Sequence, residues 1–334
     1  KTGRHGTTLL LTLGRKGCLG NGGAPTEVGG NMYIDKQLKL NVNGVPQFVS
    51  IRAEKEKAPL LIYLHGGPGD AAFPLVMTYN KMLEQQFTVV IWEQRGAGKS
   101  YYKFDGPVTI DIFLNDLYTL VDYLLPRFHQ SSVYLVGHSW GSILGLRFVQ
   151  AYPELVHTYI GCGQVVNMKK SSKSAYEYAL AHADKKDLEK LRRIDCSYQT
   201  DSWLNDLLFV TRQVVKHKGS LYGRTNYNNL AIPFLLSRYY TLADLIRRQR
   251  GSLQAIQYLW QEVMQTNFEA QTQYGAPIIF IEGRYDNHVS SALAKEYFDR
   301  IETEKQFYWF EESCHFPQWS ESDRFNKLIC NLLT

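Results

Sequence analysis

The sequence predicts an α/β architecture: a mostly parallel central sheet with helices on both faces and an inserted all-helical cap. Three observations predict it. Short β-rich runs alternate with amphipathic helical stretches from about residue 60 onward, as strand–helix–strand crossovers require. Those runs are apolar throughout, which fits strands covered on both faces. The alternation stops between about Gly163 and Ala270, where only helical patterns occur, and it resumes at Pro277.

The first 30 residues stand apart, with 9 of the 26 glycines and one acidic residue, Glu27. They read as a leader, a vector-derived stretch or the remnant of an anchor, poorly ordered and outside the fold. Leu38–Val42 alternates, and Gln47–Arg52 alternates again after Asn43-Gly44, which predicts an antiparallel hairpin. Leu60–Leu64, Thr88–Trp92, Val133–Val136, Thr158–Ile160 and Pro277–Ile281 read as parallel strands. Thr109–Leu125 carries Phe113, Leu117, Leu120, Val121 and Leu124 at helical spacing, and Pro126 stops it. Ser142–Tyr152 is apolar nearly all round and ends before Pro153.

The cap, residues 164–270, reads as helices over Ala175–Ala183, Lys186–Arg193, Trp203–Lys216, Leu242–Arg248 and Leu253–Asn267. With 16 basic and 10 acidic residues between positions 162 and 270 it is net basic. The core comprises 31–163 and 271–334, closed by a strand at Gln306–Phe310 and a last helix at Ser320–Leu333. An insert at this point lies over the carboxyl ends of the strands, where ligands of parallel α/β sheets bind.

Composition excludes several classes. A net charge of +5 and the lack of a basic strip interleaved with aromatics argue against nucleic acid. Five scattered cysteines without a C-x-x-C pair predict reduced thiols, no zinc site and a cytoplasmic setting. No apolar run reaches the ~18 residues of a membrane span. Arg95-Gly-Ala-Gly-Lys-Ser100 ends like a phosphate-binding loop, but Glu93 stands where its first glycine belongs. No metal-ligand spacing occurs among the nine histidines.

The chemistry concentrates in Val133-Tyr-Leu-Val-Gly-His-Ser-Trp-Gly-Ser142. It holds G-x-S-x-G at Gly137, Ser139 and Gly141, with a strand leading in and a helix leading out. That context predicts a strained turn presenting Ser139 as a nucleophile, its neighbours kept small to avoid collision. Leu64-His-Gly-Gly-Pro-Gly69 ends the first parallel strand, and its backbone suits an oxyanion hole completed by the Trp140 amide. His65 reads as structural. A nucleophilic serine needs a base, and the base an orienting acid. Asp286 follows the late strand, and His315 lies 29 residues further on, after the next one. His288 is the rival base.

Taken together, His65-Gly-Gly-Pro-Gly69, Trp92-Glu-Gln-Arg-Gly-Ala-Gly-Lys-Ser100, Gly137-His-Ser-Trp-Gly-Ser142, Gly283-Arg-Tyr-Asp286 and His315 resemble the proline iminopeptidase branch of the α/β-hydrolases. Residues 153–167 also look like a less characterised bacterial group within it. The resemblance implies the α/β-hydrolase fold, Ser139 as nucleophile, His315 as base and Asp286 as orienter. It further implies an oxyanion hole from amides near Gly67 and Trp140, and a cap that selects substrates with a free N-terminal residue. Members of that branch hold the substrate amine with acidic cap residues. Here their W-x-x-W-E type segment is absent, and Asp70 and Glu93 replace their usual Gly and Asp. Glu177, Glu262 and Glu269 are the amine partners left to consider, against the alternative of solvated helix-face carboxylates.

The expected activity is a serine hydrolase using an acyl-enzyme and no cofactor. Its substrate would be the N-terminal bond of a short peptide, or alternatively an ester, lactone or amide lacking a free amine.

Overall fold

The computed structural model of the chain describes residues 34–333, so the expectation for residues 1–30 lies outside the described residues. Eight strands form one sheet: β1 (Ile34–Val42), β2 (Val45–Ala53), β3 (Leu60–Leu64), β4 (Thr88–Glu93), β5 (Val133–His138), β6 (Val156–Cys162), β7 (Ile278–Gly283) and β8 (Lys305–Phe310). Their order is β1-β2-β4-β3-β5-β6-β7-β8. The hairpin β1–β2 and the β2–β4 pair are antiparallel, and every later pairing is parallel. The chain turns outward from β3 to β4, then crosses back over β3 to β5. That reversal leaves a crevice at the carboxyl ends of β3 and β5, the usual ligand position in such sheets.

Strands β3, β4, β5 and β7 are buried on both faces, as the unbroken apolar runs predict. In β3, Leu60, Ile62 and Leu64 join one core cluster, with Phe113 and Leu117 of α2 (Ile110–Leu124) and Ile143 and Phe148 of α3 (Trp140–Ala151). Leu61 and Tyr63 join the opposite cluster, with Phe73 of α1 (Phe73–Tyr79) and Phe325 and Ile329 of α11 (Ser322–Cys330). Each such aliphatic or phenyl side chain contributes ~2 kcal/mol by leaving water.

Between β6 and β7 the chain forms α4 (Met168–His182), α5 (Lys185–Leu191), α6 (Trp203–Lys216), α7 (Asn228–Leu236) and α8 (Leu242–Val263). After β7 come α9 (Ser291–Arg300), β8 and the short α10 (Pro317–Ser320). Where the sequence predicts two helices divided near Gly251, α8 is one helix of 22 residues. The glycine serves close approach: a Cβ there would strike the Gly96 carbonyl oxygen. The terminal helix is shorter than predicted, running as α10, α11 and a last 3-10 turn. Helices α1, α7 and α9 carried no clear signal. α1 has seven mostly apolar residues without a readable period, and Pro233 inside α7 reads as a breaker.

The motif resembling a phosphate loop has a structural task. Arg95 makes a two-pronged ion pair with Asp116 of α2, with Nε and Nη2 donating at 2.6 and 2.7 Å. The same carboxylate accepts from Asn43 and Gln47 of the hairpin, so one buried group ties three elements together. Ser100 Oγ donates to the Glu93 carbonyl and accepts from the Phe48 amide. Among the described residues, no helix is long and apolar enough to cross a membrane.

Candidate active site

β5 runs through His138 and α3 begins at Trp140, so Ser139 alone makes the turn, at φ 53° and ψ −119°. A non-glycine residue there carries backbone strain that the surroundings must impose. Gly137 and Gly141 allow the imposition. A Cβ on Gly137 would lie 2.6 Å from the Gly141 carbonyl oxygen, and one on Gly141 would overlap the Leu64 carbonyl oxygen. Gly141→Ala is therefore expected to cost about 3 kcal/mol, read as a lowered urea midpoint, because backbone cannot yield as a side chain can.

Gly67, Trp140 and Ser139 line one cavity. The Trp140 amide opens α3, where N–H groups have no partner within the helix and the helix end is positive. Its indole Nε1 donates to Gln94 Oε1 at 2.8 Å, which fixes the residue. His65 has the structural place expected of it. Its Nδ1–H donates to the Gly66 carbonyl at 2.8 Å and its Nε2 accepts from the Gln94 amide at 3.1 Å. Burial keeps this ring neutral, lowering its pKa to about 4.

Asp286 and His315 meet although 29 residues separate them, with His315 Nδ1 donating to Asp286 Oδ2 at 2.8 Å. The other oxygen, Oδ1, accepts the amides of His288 and Val289 at 2.8 and 3.0 Å, so the carboxylate cannot rotate away. The rival His288 is held differently: Ser220 Oγ contacts its Nδ1 at 2.8 Å, and its ring stacks on His315 at 4.5 Å. Burial pushes the His315 pKa down and that of Asp286 up, and the two amides draw Asp286 back toward the carboxylate. The resting imidazole is neutral, as a proton acceptor must be.

Ser139 and His315 sit in adjoining segments, since His138 Nε2 hydrogen-bonds the His315 carbonyl at 2.9 Å. Among the described residues, the Ser139 hydroxyl and the His315 ring are not hydrogen-bonded to each other. In enzymes without substrate this contact is commonly loose.

The expected amine partners do not reach the cavity. Glu177 is exposed and lies 3.8 Å from Lys173 on the surface of α4. Glu262 accepts the Ile110 amide at 2.9 Å and so occupies the N-terminus of α2. Glu269 binds Asn167 and Lys170 at 2.8 and 2.6 Å. Each carboxylate is spent on solvent or on a local partner. The cavity lining is instead largely apolar, with Ile143, Met168, Leu207, Val210 and Val263, and among the described residues it includes no carboxylate. Its polar members are uncharged hydroxyls, the His288 ring and Trp260, whose buried indole N–H has no partner. Sequence reading missed Trp260, Gln94 and Ser220. Gln94 and the elbow residue His138 lay inside flagged motifs, whereas Trp260 looks like any core aromatic of an amphipathic helix.

The family described as alpha/beta hydrolase fold matches residues 59–322. The chain is 33% identical over 294 residues to the "Probable aminopeptidase YbaC" of Bacillus subtilis, covering 86% of this chain and 92% of that one. It is 24% identical over 296 residues to the proline iminopeptidase of Heyndrickxia coagulans, covering 82% and 90%. Among solved structures, the proline iminopeptidase of Mycobacterium smegmatis aligns over 90% of this chain and 97% of its own, with TM-score 0.65 and 16% identity. Est816, described as an N-acyl homoserine lactone degrading enzyme, aligns over 88% of this chain and 98% of its own, with TM-score 0.60 and 14% identity. These structural likenesses show the fold.

Proposed function

We propose that this chain, which belongs to the α/β-hydrolase fold family, is a serine hydrolase that releases the N-terminal residue of short peptides through an acyl-enzyme. The single observation that carries the chemistry is the buried Asp286–His315 hydrogen bond beside a serine held in a strained turn. His315 Nε2 takes the hydroxyl proton as Ser139 Oγ attacks the carbonyl carbon. The amides of Gly67 and Trp140 donate to the developing oxyanion. As the tetrahedral intermediate collapses, the C–N bond breaks and the imidazolium passes its proton to the leaving amine. Water, deprotonated by the same ring, then attacks the ester and frees Ser139. Asp286 fixes the tautomer and stabilises the imidazolium throughout. The relatives named for aminopeptidase and proline iminopeptidase activity support the peptide substrate.

A second reading keeps the mechanism and changes the substrate to an ester or amide without a free amine. The cavity supports it: a cationic amine would meet no carboxylate there, whereas Trp260, one of its lining residues, has a buried N–H without a protein partner that a ligand acceptor could take. Turnover of prolyl-naphthylamide against a nitrophenyl ester separates the two. Cleavage of the ester with none of the prolyl amide excludes the aminopeptidase. Under the second reading, Trp260→Phe is expected to lower kcat/KM about tenfold for an acyl chain bearing an ether or keto oxygen. A plain alkyl ester of the same length should be unaffected.

A further inference from the structure

We propose that the outer face of α7 and the first turns of α8 dock the protein onto an anionic lipid bilayer. The inner faces of these two segments meet each other: Phe234 packs on Tyr240 at 5.4 Å and lies under the Arg248 guanidinium at 4.0 Å. Their outer faces carry Ile232, Leu235 and Leu236 at one-turn spacing on α7, and Leu242 and Ile246 one turn apart on α8. Leu236 and Leu242 are 80% and 77% exposed, and the other three range from 49% to 64%. Large aliphatics scattered singly over a surface are ordinary, but five within fifteen residues mark an interaction surface.

Charge identifies the partner. Arg224, Arg238, Arg247 and Arg250 are exposed in the same stretch. Between residues 207 and 261 the only carboxylate is Asp244, which is buried and held by Lys99 and Arg247, each at 3.0 Å. The segment thus presents aliphatic side chains and arginines with no exposed carboxylate among them. Phosphate headgroups above acyl chains complement both features at once. A two-fold pairing with a second copy would instead set these arginines against one another. The proposal does not depend on the hydrolase chemistry.

The test is sedimentation of the full chain with phosphatidylglycerol vesicles and with phosphatidylcholine vesicles, at low and at raised salt. The wild type is expected to sediment with the anionic vesicles, to be released by salt, and to ignore the zwitterionic ones. Leu236→Glu with Leu242→Glu should weaken binding more than tenfold, since both leucines leave water on docking. Arg238→Gln and Arg250→Gln should each weaken it about fivefold at low salt and flatten the salt dependence. These side chains are exposed, so the thermal midpoints should stay unchanged. The arginine pair tests the proposal even if the leucine variant fails to fold. Absence of wild-type binding, or undiminished binding by both variants, overturns it. So does a concentration-dependent dimer, seen by light scattering and abolished by the leucine exchanges.

Discussion

Ser139→Ala is expected to lower kcat/KM by about 10⁵- to 10⁶-fold, because removing the nucleophile of a serine hydrolase leaves only binding and the oxyanion hole. The structure supplies an internal control. Ser139 occupies φ 53° and ψ −119°, where any side chain is strained, so alanine keeps the strain while losing the hydroxyl. Ser139→Gly should be equally inactive yet more stable, by on the order of 1 kcal/mol, because glycine occupies that conformation freely. Activity assays with urea titrations of both variants check the pair. Turnover within about a hundredfold of the wild type by either one would remove Ser139 from the mechanism, and an alanine variant more stable than the glycine one would contradict the strained turn.

Asp286→Asn is expected to lower kcat by about 10⁴-fold with little change in fold, the size seen when a triad carboxylate becomes an amide. The cause can be read from the hydrogen bonds. The amides of His288 and Val289 donate to Oδ1, so an asparagine would keep its carbonyl oxygen there and turn its NH2 toward His315. Two donors cannot share one hydrogen bond. His315 Nδ1 would have to become the acceptor, placing the ring proton on Nε2, where the base must be bare. A rise in kcat toward higher pH at the variant's own rate, without recovery of the lost factor, would accompany the wrong tautomer. A loss of only a few-fold would show that Asp286 does not orient the base.

Much of this arrangement was legible in the sequence because it depends on local pattern. The elbow announces itself as a β-rich run, small residues two positions either side of a serine, and an apolar helix. Asp286 and His315 were legible as polar residues directly beyond the carboxyl ends of strands, where side chains leave the core. What lay hidden was set by tertiary contact. Gly251 looked like a helix break because its reason, the Gly96 carbonyl pressed against it, lies some 150 residues away in the chain. The three glutamates looked available because their partners, Lys173, Ile110 and Lys170, are ordinary residues whose proximity no spacing rule reveals. The cavity wall was hidden for a similar reason: apolar positions facing a void have the same periodicity as those facing a core.

The contact at Gly251 also bears on how molecules enter and leave. A Cβ on Gly69 would strike the Gly251 carbonyl oxygen and Ala255, just as one on Gly251 would strike Gly96. Along this line α8 rests directly on the main chain of two loops, one of them carrying Gly67, and the Arg248–Asp70 and Lys99–Asp244 ion pairs tie it to the same two loops. Close-packed main chain shears poorly. Here α8 is expected to serve as a fixed abutment, and the traffic of substrate and product is expected to pass on the flank of α4 and α6, whose side chains can swing aside.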